Sequence, residues 1–169
     1  DVLSASGVDD KIAWYENDGS QGFTERVISV DADGARSVYA IDVDGDGDID
    51  VLSASFNDDK IAWYENDGSQ SFTERAISTN ADGAWSVYAI DVDGDGDIDV
   101  LSASYLDNKI AWYENDGSQS FTERVISTNA NGVRTVYAID VDGDGDIDVL
   151  SASYLDDKIA WYENDGSQG

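Results

Sequence analysis

The string DVDGDGDIDVLSAS, residues 42–55, returns letter for letter at 91–104 and again at 140–153. A second string, WYENDGSQ, begins at Trp14, Trp63, Trp112 and Trp161, so the 169-residue chain is one unit of 49 residues repeated without insertion or deletion. A fixed period in this range decides the architecture ahead of any local reading. Near-identical units cannot each keep a private core, and must bury apolar surface against their neighbours.

Around the middle copy, the segment 72–78 (FTERAIS) alternates like a half-buried strand, and the polar stretch after it reads as a loop. Residues 86–92 (SVYAIDV), 100–104 (VLSAS) and 109–115 (KIAWYEN) are rich in β-branched and aromatic residues, and NDGSQ closes the unit with an Asp-Gly turn. Four strands per unit and no helical periodicity predict an all-β chain, a β-propeller whose 49-residue blades are four-stranded antiparallel meanders. The competing architecture, a parallel β-helix of calcium-binding nonapeptides, needs a much shorter period. The strand inventory divides the single array of residues 1–169 into a partial blade lacking its inner strand (1–29), blades at 37–78 and 86–127, and a partial blade lacking its outer strand (135–169). About three and a half blades leave raw sheet edges, so a homodimer is expected to complete the ring. Equal junctions between two chains give six or eight blades.

The loop DVDGDGDID places carboxylates at alternate positions, with glycines where the backbone must turn. A hard divalent cation takes six to eight oxygen ligands at about 2.3–2.6 Å, and such a loop can wrap them round one point. The candidate metal residues are Asp42, Asp44, Asp46, Asp48 and Asp50, then Asp91, Asp93, Asp95, Asp97 and Asp99, then Asp140, Asp142, Asp144, Asp146 and Asp148. Within each set the first, third, fifth and ninth positions offer side chains and the seventh its carbonyl. The expected cofactor is Ca²⁺, one per loop and three per chain. Mg²⁺ dehydrates too reluctantly for an all-protein cage. The loop differs from an EF-hand in having Ser53 at its twelfth position and strands on both sides.

A net charge of −28 repels nucleic acid and anionic membranes, so neither is an expected partner. No apolar run approaches the length of about 18 residues that spans a bilayer. The 41% hydrophobic and 11% aromatic content on a regular spacing excludes disorder. With no His and no Cys, the usual bases and nucleophiles are missing, and the many aspartates are committed to metal, so the chain reads as a binding module and not an enzyme.

The copies differ almost only in two connections expected on the face opposite the aspartate loops. There the candidate carbohydrate contacts are Phe56, Trp85, Tyr105 and Tyr154 as stacking faces, Asp58, Asp107, Asn108 and Asp156 as hydroxyl partners, and Arg36 and Arg134 for a carboxylate. Trp14, Trp63, Trp112 and Trp161 are expected to pack between blades. Lys60 and its counterparts read as solvated charges.

A strand, then DxDGDGxxD, then a strand ending in small residues, once per blade, resembles the FG-GAP and VCBS repeats of integrin-α-type propellers. The wording ADGAWSVYAIDVDGDGDIDVLSAS with DNKIAWYENDG is most similar to the PVL-like propeller lectins. That resemblance implies a seven-bladed, calcium-stabilised protein binding N-acetylglucosamine and sialic acid between blades, a count that needs unequal junctions in a dimer. Two functions follow: a multivalent lectin, or an adhesion scaffold that binds protein. Calcium loops of this kind fill where the ion is millimolar, so the expected location is secreted, outside the cell.

Overall fold

The computed structural model describes residues 1–166 and contains strands and turns but no helix among them. The first sheet holds β1 (Val2–Ser6), β2 (Lys11–Asn17) and β3 (Phe23–Ser29). The second holds β4 (Ala35–Ile41), β5 (Asp50–Ser55), β6 (Lys60–Asn66) and β7 (Phe72–Ser78). The third holds β8 (Ala84–Ile90), β9 (Asp99–Ser104), β10 (Lys109–Asn115) and β11 (Phe121–Ser127). The last holds β12 (Val133–Ile139), β13 (Asp148–Ser153) and β14 (Lys158–Tyr162). All pairings are antiparallel between sequence neighbours, so each sheet is a meander. The sheets stand side by side: the inner strands β4, β8 and β12 adjoin one another in turn, and β1, which stands where β5 stands in its sheet, lies against β4 as β5 lies against β8. This is an open, partial propeller. The inner strands start two residues ahead of the expected serine, at Ala35 and Ala84, and a register shift follows each start.

Three apolar cores fill the spaces between successive sheets. The first joins Ile12, Leu3 and Ile28 to Ala35, Val51 and Tyr64. The second sets Leu52, Ile61 and Trp63 against Val87, Ala89 and Tyr113, and the third sets Leu101 and Ile110 against Val133, Val136 and Val149. Sheets covered on both faces bury consecutive residues, which is why β5 and β9 are buried from end to end. The neighbour supplies that burial: Ile61 and Ile110 are 0% exposed and Trp63 1%, while Ile159 and Trp161, at the same positions on the last sheet, are 77% and 46% exposed. Each such side chain contributes about 1.5–3 kcal/mol on burial. Trp63 and Trp112 thus pack between blades, whereas Trp161 has no described blade beyond it.

Outer strands β7 and β11 are exposed over most of their length, contrary to the half-buried strand that alternation suggests. At the outer edge, the next blade is too far away to cover either face. Charged residues keep that edge from pairing with another strand. Arg75 and Arg124 sit over Trp63 and Trp112, at 5.5 and 5.4 Å, while paired to Glu65 and Glu114.

The linkers between blades are stapled at both ends. Asp59, in the turn between β5 and β6, accepts Ala81 N on its carbonyl at 3.0 Å and Gly83 N on its carboxylate at 2.8 Å. Tyr105 N and Leu106 N of the following blade donate to Gly83 O and Asp82 O. At the channel edge, where the inner strand has no partner, Val87 N donates to Ser37 Oγ (3.3 Å) and Val136 N to Ser86 Oγ (3.4 Å), one hydroxyl per blade junction. Tyr39, Tyr88 and Tyr137 stack across the same junctions with ring centroids 4.9 and 4.8 Å apart.

Candidate functional site

Each aspartate loop joins the inner strand to the second strand. In the loop from Asp42 to Asp50, Asp42 accepts Gly45 N at 2.8 Å and Gly47 N at 3.0 Å on its two oxygens, and Asp44 accepts Asp46 N. Gly45 and Gly47 have φ of +76° and +96°, a region where a side chain is strained, and both face open space. Asp50, fully buried at the start of β5, accepts Val43 N at 3.0 Å and Asn66 N at 2.8 Å and so ties the loop to the end of β6. The copies at 91–99 and 140–148 repeat these contacts.

This wrapping brings three carboxylates per loop to one point: Asp42, Asp44 and Asp50, then Asp91, Asp93 and Asp99, then Asp140, Asp142 and Asp148, each set offering oxygens within 4.8 Å of one another. An all-oxygen, all-anionic set of this kind fits a hard divalent cation. Asp46, Asp95 and Asp144 are not drawn into these sets and instead cap the N–H of Asp48, Asp97 and Asp146. The Asp48 carboxylate abuts the NDGSQ turn, where a Cβ on Gly68 would lie 2.5 Å from it, and Asp97 and Asp146 do the same at Gly117 and Gly166.

Burial raises the carboxyls of Asp44 and Asp93, with neighbouring aspartates adding to the shift. Burial likewise raises Asp50 and takes Asp99 up to about 6, against the backbone N–H donors that pull it down. Asp148, on the last sheet, is lowered by its bond from Asn164 N. A carboxyl raised in the folded state adds stability that is complete below its unfolded pKa of about 3.9 and disappears as pH rises through the folded value. Metal-free protein is therefore expected to melt roughly 4–8 °C higher at pH 4.5 than at pH 7.5, on the order of 2 kcal/mol from Asp99 alone. Calcium-loaded protein is expected to show the opposite trend, because protons displace the ion. Thermal melts of stripped and loaded samples across that range check both signs.

The opposite end of the blades gathers residues from three successive sheets. Phe56 meets Trp85 edge-on at 5.6 Å, and Tyr105 lies 5.4 Å from Trp85 and 6.3 Å from Phe56. Arg36, from the blade before, lies 5.0 Å from the Trp85 ring and 5.4 Å from Phe56. Arg134, from the blade after, lies 4.7 Å from Trp85, 5.5 Å from Tyr105 and 4.0 Å from Tyr154. Every other Lys and Arg is ion-paired, whereas among the described residues these two guanidiniums have no carboxylate partner. In a chain of net charge −28, two unpaired cations held on one aromatic cluster are available to an incoming anion.

The polar candidates, in the same turns as Phe56, Tyr105 and Tyr154, are engaged by other partners. Asp58, Asp107 and Asp156 pair with Lys60, Lys109 and Lys158. Lys60 and Lys109 are not solvated charges: they also pair with Glu74 and Glu123 and donate to the linker carbonyls of Asp31 and Asn80. Asn108, at φ +60°, accepts Gly132 N and Ala130 N as Asp59 does for its own linker. Asn and Asp tolerate this left-handed backbone better than other side-chain-bearing residues.

Antiparallel sheets set side by side, each with an aspartate-glycine loop between its first and second strands, define a propeller-class repeat protein. Residues 1–53, 42–102 and 91–151 each match the FG-GAP-like repeat, and the chain belongs to that family. No curated protein matches. Among solved structures the fold is similar to that of an Agrocybe aegerita lectin, described for its specific recognition of non-reducing terminal N-acetylglucosamine, with a TM-score of 0.57 and 18% identity. The likeness covers 89% of this chain and 46% of the lectin, so the chain spans about half the lectin's length.

Proposed function

We propose that this protein is a calcium-stabilised, multivalent lectin that takes N-acetylglucosamine-type or sialylated glycans between adjacent blades. The observation that carries the reading is the cluster of Arg36, Trp85 and Arg134, in which stacked aromatic area and unpaired guanidiniums occur together on three successive blades. An aromatic face stacks on the apolar side of a pyranose, and a guanidinium grips a sugar carboxylate in two parallel hydrogen bonds. The fold shared with a lectin that recognises terminal N-acetylglucosamine supports the ligand class. The protein acts without catalysis, outside the cell where calcium fills the loops, and weak sites repeated around the array gain strength when several engage one surface. A glycan array run with calcium and with chelator tests this: binding to amino-sugar or sialylated glycans is expected, competed away by free N-acetylglucosamine. An array with no captured glycan, alongside capture of a protein ligand, overturns it in favour of an adhesion scaffold.

A further inference from the structure

The ninth aspartate of each loop meets a tryptophan from the third strand of its own sheet. On the first sheet Asp1 stands at the position of Asp50, since Asp1–Ser6 repeats Asp50–Ser55, and there the pair is formed: Trp14 Nε1 donates to Asp1 Oδ2 at 2.9 Å. On the inner sheets Trp63 Nε1 and Trp112 Nε1 are buried and have no hydrogen-bond partner. Strand register places both as it places Trp14: Trp63 lies opposite Leu52 and Trp112 opposite Leu101, two residues along the strand from Asp50 and Asp99, as Trp14 lies opposite Leu3 beside Asp1. A buried donor left unmet is costly, and natural proteins seldom keep one without a purpose. Here the same side chain has two neighbours, since Trp63 and Trp112 also belong to the apolar cores against the next blade.

Resting on the reading of the loops as metal sites, we propose that Trp63 and Trp112 are positioning residues for the metal. Each indole N–H fixes the ninth carboxylate from outside the ligand set, and ties metal occupancy of one blade to its packing against the next. Partners that orient a ligand from behind typically change metal affinity by about 10- to 100-fold when removed. Removing the N–H has a distinctive signature. Trp→Phe keeps most of the apolar surface and deletes a donor that is unmet without metal, so the metal-free protein loses little, while the loaded protein loses affinity.

The experiment is calcium calorimetry on the full chain, wild type against Trp63→Phe/Trp112→Phe, with metal-free melts of both and an indole emission titration of the wild type. Expected are calcium binding weakened at least tenfold at two of the three sites, a metal-free melt within a few degrees of wild type, and wild-type emission that shifts as calcium is added. Calcium affinity equal to wild type at all three sites overturns the inference while leaving the metal sites standing. Wild type that takes up no calcium removes the metal reading itself. Should the double variant fold poorly without metal, the emission titration decides alone: emission that stays constant as wild type fills overturns the coupling, and a saturating shift at the calorimetric stoichiometry supports it.

Discussion

Stripping divalent metal with EDTA is expected to lower the melting temperature by roughly 15–30 °C, and added calcium to restore it. The size follows from linkage. A site filled a hundredfold above its Kd stabilises the folded state by about 2.7 kcal/mol, and three loops act together on one array of this length. Two features of the loops raise the effect. Without a cation, three carboxylates in each loop have oxygens within 4.8 Å of one another, and at that range like charges repel. The loop also fixes the hairpin between the first two strands of each blade, since the ninth aspartate bonds both the loop at Val43 and the third strand at Asn66. A differential scanning melt with and without chelator measures the change, and identical melts would remove the metal from this account.

Trp85→Ala is expected to weaken glycan binding by about 50-fold or more while moving the calcium-loaded melt by only a few degrees. The side chain is half-buried and touches Phe56, Tyr105, Arg36 and Arg134, so its loss removes the stacking face and frees both guanidiniums. Aromatic pairs contribute about 0.5–1.5 kcal/mol and cation–π contacts about 0.5–2 kcal/mol, and roughly 1.4 kcal/mol is tenfold in affinity. Arg36→Gln/Arg134→Gln separates the ligands: binding of sialylated glycans falls by a similar factor and neutral amino sugar binding changes little. Titration calorimetry with one sugar of each kind reads both effects.

The fold was legible in the sequence because the repeat is strict and each unit has its own strand and turn signals. The carboxylate triads were half legible. Alternate aspartates announce a cation loop, but which carboxylates converge depends on how the loop's own N–H groups are shared, and Asp46 and Asp48 are taken up by the backbone of Asp48 and by the turn at Gly68. The roles of Lys60 and Asn108 were hidden, because their partners come from a neighbouring strand and from a linker 24 to 29 residues away. The aromatic cluster lay in between. Its members stand out as the positions where copies differ, yet only the curvature of the array brings residues 36, 85 and 134 together across three blades.

The turn before the third strand grips each linker in two ways: the amides of Phe56, Asn57, Tyr105, Leu106, Tyr154 and Leu155 donate to linker carbonyls, while Asp59 and Asn108 accept Gly83 N and Gly132 N on their side chains. On the proposed reading, the main-chain grip leaves Phe56, Tyr105 and Tyr154 free to differ from blade to blade, so one frame would carry a different recognition surface on each unit.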